Sequence, residues 1–174
     1  MAKLIYDYWF VQFDFPDEDG KPYKSSGGKM VYSEALQCEI PNGWEAAPIS
    51  ALLEIKTGKR DANHATDDGE YHFFTCGDKP LRCETHEFKG KSVLLAGNGN
   101  FSVKRFDGKF DAYQRTYVLT PTNPNFFSLV FYAVKNKTKS LINGSRGSIV
   151  KFKTKGDIEN IFIPMPTDRE EYFY

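Results

Sequence analysis

Four side chains of the types that hold zinc or carry out nucleophilic chemistry fall within fifteen residues: His72, Cys76, Cys83 and His86. Structural zinc sites usually set paired cysteines two to four residues apart, and six residues separate this pair. A Cys–His nucleophile would also need an orienting third group and an oxyanion donor, and neither stands beside it in the sequence. Buried or idle cysteine and histidine is the plainer reading, so no metal ligand and no catalytic residue is assigned. The run Gly97-Asn-Gly-Asn-Phe101 shares its glycines with phosphate-binding loops, but a third glycine and a following helix are missing. It reads instead as a hairpin turn whose tip presents Asn98 and Asn100, a residue type suited to bidentate contact with adenine.

The basic residues form a more informative group. Residues 1–88 carry 9 Lys and Arg against 16 Asp and Glu, residues 89–155 carry 13 against 2, and residues 156–174 carry 1 against 5. A net charge of zero for the whole chain therefore hides a middle of +11 between acidic ends. The two acids of that middle are Asp107 and Asp111, so few of its cations can be neutralised by near neighbours, and a polyanion is the natural partner. Lys104, Arg105, Lys109, Arg115, Arg146, Lys151 and Lys153 lie there, interleaved with Tyr113 and Gln114. Lys59 and Arg60 add a basic loop upstream. Any one of them alone reads as solvated surface; together with the asparagines they are the mixture that contacts phosphates and base edges. Ser145 lies in the small-residue run Gly144–Ser148, which reads either as a concave anion site of backbone amides or as a helix stop and turn.

The elements that must position these residues are those of one α+β domain. At 174 residues, with 40% hydrophobic residues, a single core buries roughly 70% of the surface of the unfolded chain without a staple. Three cysteines, an odd count, and a Met1 start with no apolar run behind it point to a reducing, intracellular compartment, where the sequons at Asn100, Asn136 and Asn143 have no role. No stretch approaches the ~20 apolar residues of a membrane helix. Residues 3–15 read as a buried helix end or a strand, with helix preferred, residues 16–29 as a polar loop or linker, and a compact domain begins near Met30. A short helical stretch is expected around Ile49–Glu54. Between Glu70 and Leu119 the period is two, and Gly97–Asn100 and Asp107-Gly108 predict a three-strand meander whose last strand, Lys109–Leu119, puts Tyr113, Arg115 and Tyr117 on one face. Asn123-Pro124 opens a helix running to Leu141. Ile149–Lys153 reads as a strand, Gly156–Glu159 as a helical turn, and Ile161–Ile163 as a strand ended by Pro164 and Pro166.

The segments YDYWFVQFDFPDEDGKPYKSSGGKM (6–30), IPNGWE (40–45), LLAGNGNFSVKRFDGKFDAYQRTYVL (94–119), GSRGSIVKF (144–152) and IENIFIPMP (158–166) resemble the specificity subunit of type I restriction-modification enzymes, nearly end to end. Such subunits carry two target recognition domains separated by long helices that form a coiled coil and dock methyltransferase subunits. By that resemblance residues 1–29 are the end of a spacer helix and a linker, and residues 30–166 are one recognition domain built on a twisted antiparallel or mixed sheet with a few helices. Residues 167–174 begin a truncated second spacer helix. The chain would then be half a subunit: an expressed half, a truncated product or an isolated domain. The resemblance implies a cytoplasmic protein that reads one half of a bipartite DNA target. Its implied partners are double-stranded DNA, methyltransferase and restriction subunits, and a second copy of itself. It implies no chemistry in this chain, because methylation and cleavage belong to subunits with S-adenosylmethionine, ATP and Mg²⁺ sites; none of those motifs is present, and no cofactor is expected. A protein-interaction module derived from the same family stays open as the alternative, docking through Tyr6–Phe15 with Tyr8, Trp9, Phe10 and Phe13 exposed.

Overall fold

A computed structural model of the chain describes residues 1–99, 101–144 and 154–168. Asn100, Ser145, Arg146, Lys151 and Lys153, and the strand expected at Ile149–Lys153, lie outside the described residues. The chain divides into two compact units, Met1–Ala51 with Asn160–Tyr174, and Leu52–Glu159. Charge divides with them: the first has 5 basic and 11 acidic side chains, the second 18 and 12.

The first unit opens with a short helix α1 (Ala2–Tyr6) that widens into a π-helical turn, Asp7–Val11. Strand β1 (Met30–Ser33) pairs antiparallel with β2 (Cys38–Pro41), and β3 (Trp44–Pro48) pairs antiparallel with a strand at Phe162–Pro166. Trp44 is the centre of its core. The rings of Phe10, Phe13 and Phe15 stand 5.5, 5.8 and 5.1 Å from it, centroid to centroid. Phe13 is therefore buried, and Trp9 and Phe10 pack against the same cluster, so three of the four aromatics expected to face a partner are held by their own unit. Tyr8 stays exposed, with Leu4, Ile5 and Val11. Aromatic area is removed from water wherever a partner ring is within reach, and Trp44 supplies one. The polar stretch 16–29 forms turns but is tied down: Tyr23 N donates to Phe15 O (3.0 Å), Lys24 N to Phe13 O (3.2 Å), and Ser25 donates through both N and Oγ to Asp14. The Ser25 hydroxyl, more than any other group, holds the exposed Asp14 carboxyl below its ordinary value. The final strand runs on through Pro164 to Pro166, which a two-stranded ribbon with open edges tolerates.

The second unit is a six-stranded mixed sheet. In chain order its strands are β4 (Leu53–Thr57), β5 (Tyr71–Phe74), β6 (Leu81–Cys83), β7 (Phe88–Ala96), β8 (Val103–Ala112) and β9 (Thr116–Pro121). In space the order is β4-β9-β7-β8-β5-β6, antiparallel throughout except for the parallel pair β5–β8. Helix α2 (Phe127–Gly144) packs against β7, β8 and β9, and α3 (Lys155–Glu159) is a single turn near the unit's end. The fold class is α+β, as the sequence predicts. Asn123 Oδ1 accepts from Asn125 N (2.9 Å) and Pro124 follows it, capping the 3₁₀ turn Pro124–Phe126 that leads directly into α2.

Two sequence expectations give way here. The helical stretch at Ile49–Glu54 is a 3₁₀ turn at Ile49–Ala51 followed at once by β4, because Leu53 and Ile55 are buried while Glu54 and Lys56 are exposed, the period of a strand. The meander is also different. Asp107-Gly108 makes no turn: β8 runs straight through it, with Gly108 (φ +152°) paired opposite Gly90 (φ +99°), a backbone that residues with side chains rarely adopt. The reversal comes instead at Tyr113–Arg115, and β9 then pairs with β7 rather than with β8. Tyr113 and Arg115 consequently sit in a turn, not on one face of a strand with Tyr117.

Truncation at Trp44 removes the ring on which the first unit's aromatics meet. Trp44→Ala is expected to lower stability by about 3–5 kcal/mol, read from urea unfolding followed by circular dichroism.

Candidate functional site

Three connections of the second unit come together through main-chain hydrogen bonds. Arg115 O, in the β8–β9 turn, accepts from Gly97 N of the β7–β8 connection (2.9 Å) and from Cys76 Sγ of the β5–β6 connection (3.4 Å). Lys104, at the start of β8, donates from Nζ to Gly77 O and to Ser102 Oγ. The chain leaving β4 joins them. A Cβ on Gly58 would lie 2.0 Å from Ala112 O, so this backbone approach requires glycine. Beyond it Gln114 N donates to Arg60 O and Tyr113 N to Phe74 O, each 2.9 Å. Arg60, Asn98, Lys104, Tyr113, Gln114 and Arg115 therefore stand on adjoining connections. Gln114 and Arg115 are exposed, Asn98 and Tyr113 half-buried. Burial pushes the Lys104 ammonium below its usual value, opposed by the nearby Asp78 carboxylate, and no carboxylate lies within ion-pair distance of it among the described residues.

The other predicted contact residues are placed elsewhere. Arg105 follows Lys104 on β8 and so points to the opposite face, where its guanidinium lies 5.1 Å from the Phe131 ring of α2; Lys135 lies 5.4 Å from the same ring. Lys109 is exposed directly across from Lys89 of β7, a like-charged pair. Lys59 is paired with Glu87. A cleft of about 580 Å³ opens beside it, but its three lysines, Lys56, Lys59 and Lys155, each pair with a glutamate. Two residues absent from the sequence assignment support the site. Asp111 is fully buried and accepts from Arg60 Nε (3.1 Å), with His64 Nε2 at 3.4 Å from the same oxygen. Asp111 stands out in the sequence as one of two acids in the basic stretch, but its partner is 51 positions away.

The Cys/His group does not converge. His72 packs against the Phe74 and Phe106 rings and His86 against Tyr71, while Cys83 donates to Thr85 O (3.1 Å). Among the described residues no three His, Cys, Asp or Glu side chains are arranged to hold a metal.

The sequence profile described as type I restriction modification DNA specificity domain matches residues 41–171. The chain belongs to that family. A curated relative from Escherichia coli, the type I restriction enzyme EcoDI specificity subunit, is 38% identical over 133 residues, which is 76% of this chain and 30% of the relative. Among solved structures, a type I restriction-modification S subunit from M. genitalium shares 20% identity at a TM-score of 0.59, over 74% of this chain and 36% of its own. An HsdS subunit from Thermoanaerobacter tengcongensis shares 17% at 0.58, over 95% and 39%. These two structures establish a common fold. The chain spans less than two fifths of the length of each of these specificity subunits.

Burial above all, and then the Asp111 charge, raises the Cys83 thiol above its ordinary value, so little thiolate forms there. In the folded protein at pH 8 a thiol reagent is expected to modify exposed Cys38 rapidly and buried Cys83 only after denaturant is added, as peptide mapping of the labelled chain would show.

Proposed function

We propose that this chain recognises a specific sequence in double-stranded DNA, as the non-catalytic recognition element of a type I restriction-modification system in the cytoplasm. The reading has the chain directing methyltransferase and restriction subunits to one half of a bipartite target, with residues 30–166 as the recognition segment. Residues 1–29 and 167–174 would connect it to spacer helices, and a second copy of the chain would supply the other half-site. The observation that carries this reading is the convergence of Arg60, Asn98, Lys104, Gln114 and Arg115 on adjoining connections of a unit with more basic than acidic residues. Phosphate contacts then fall to Lys104 and Lys109, and base contacts to the asparagines, Gln114 and Arg115. Asn100, Ser145, Arg146, Lys151 and Lys153 complete the proposed surface from the sequence alone.

A second reading, a protein-docking module without DNA affinity, is favoured by one observation. Met1, Leu4, Ile5, Tyr8 and Val11 leave an exposed apolar stripe along α1 and the turn after it.

Selection of duplexes from a random pool at moderate salt separates the two. DNA recognition predicts enrichment of a short half-site, whereas a chain that enriches nothing yet binds a methyltransferase subunit is a docking module. Replacing Lys104 and Lys109 together by Gln is expected to weaken binding to all sequences and to flatten the plot of log affinity against log salt by about 0.9 for each phosphate no longer neutralised. An unchanged slope removes these two side chains from the phosphate-binding surface.

A further inference from the structure

Asp111 has no exposure, yet its side chain is a carboxylate in the middle of the most basic part of the chain. A buried carboxylate persists when it is paired and hydrogen-bonded. Oδ1 accepts from Ala112 N (2.9 Å), and Oδ2 accepts from Arg60 Nε (3.1 Å). The Arg60 main chain is fixed as well, bridged to Tyr113 and accepting from Gln114 N. The pairing uses Nε and leaves the two terminal nitrogens of the guanidinium without an acceptor among the described residues, on a side chain that is 42% exposed.

A contact to phosphate needs charge and little orientation, which free surface lysines already provide. Arg60 differs in both respects. Its charge is largely offset by Asp111, so it adds little to salt-dependent attraction, while its planar fork is held in one direction from behind. Two parallel N–H donors in fixed geometry match two acceptors side by side, and O6 and N7 of guanine are that pair on a base-pair edge. Its neighbour Gln114 is exposed, so the two stand together where bases can be read.

We infer that Arg60 reads a guanine in the major groove, with Asp111 as the positioning residue that sets its fork. This rests on the DNA reading above and adds the base and the residue. The test uses the full chain. Duplexes are selected with wild type, with Arg60→Lys, which keeps the charge and loses the fork, and with the double variant Arg60→Gln/Asp111→Asn, which leaves no buried charge unpaired should Arg60→Lys fail to fold. Each variant is checked by near-ultraviolet circular dichroism. The expected result is that guanine preference at one position of the site falls about 10- to 100-fold in every folded variant. The other positions and the salt slope of the double variant stay as in wild type. A guanine preference kept at every position by a folded variant overturns the inference and leaves DNA recognition standing. A wild-type chain that enriches no sequence overturns the DNA reading and this inference with it.

Discussion

The turn at Tyr113–Arg115 is held from three sides by main-chain hydrogen bonds: to Phe74 at the end of β5, to Arg60 beyond β4 and to Gly97 beyond β7. Everything proposed for the site depends on that clamp. With it, four connections distant in sequence present their side chains side by side. Because the bonds are between backbone groups, the turn's side chains remain free to vary. A scaffold of this kind can change what it reads without changing how it folds.

Electrostatics reinforces the same division. Acidic residues exceed basic ones in the unit that carries α1, and the excess is reversed in the unit that carries the sheet. Within the sheet unit the cations differ in freedom. Lys56, Lys59 and Lys155 are matched with glutamates, whereas Lys104 is partly desolvated against main-chain and hydroxyl oxygens, and Arg105 and Lys135 share an aromatic ring. Exposed pairs contribute little to stability, so the matched lysines are plain surface. The unmatched ones are where an anion gains most.

Local signals in the sequence suffice where the structure is local. Asn123-Pro124 and the apolar spacing after it locate α2, and the alternating exposure of β8 over Arg105–Lys109 follows from side-chain type alone. Asp107-Gly108 misleads because its glycine serves a left-handed position within a strand rather than a turn, a distinction that lies in the partner residue Gly90. The choice of β7 over β8 as the neighbour of β9, the burial of Phe13 against Trp44 and the pairing of Arg60 with Asp111 all join residues far apart in the chain, and no local pattern encodes them. Of the sequence-assigned contact residues, the fold gathers six on one set of connections and puts Arg105 on the other face of the sheet. The basic stretch does not say which side of the sheet each of its residues faces.

The clamp and its contact surface can be observed directly by following backbone amide signals of the labelled chain as an enriched duplex is added. The account predicts the largest shifts at Gly77, Gly97, Asn98, Gln114 and Arg115, with the amides of Ala2–Val11 unmoved. Shifts confined to α1 and its exposed apolar stripe, with the turn at Tyr113–Arg115 unaffected, would contradict it.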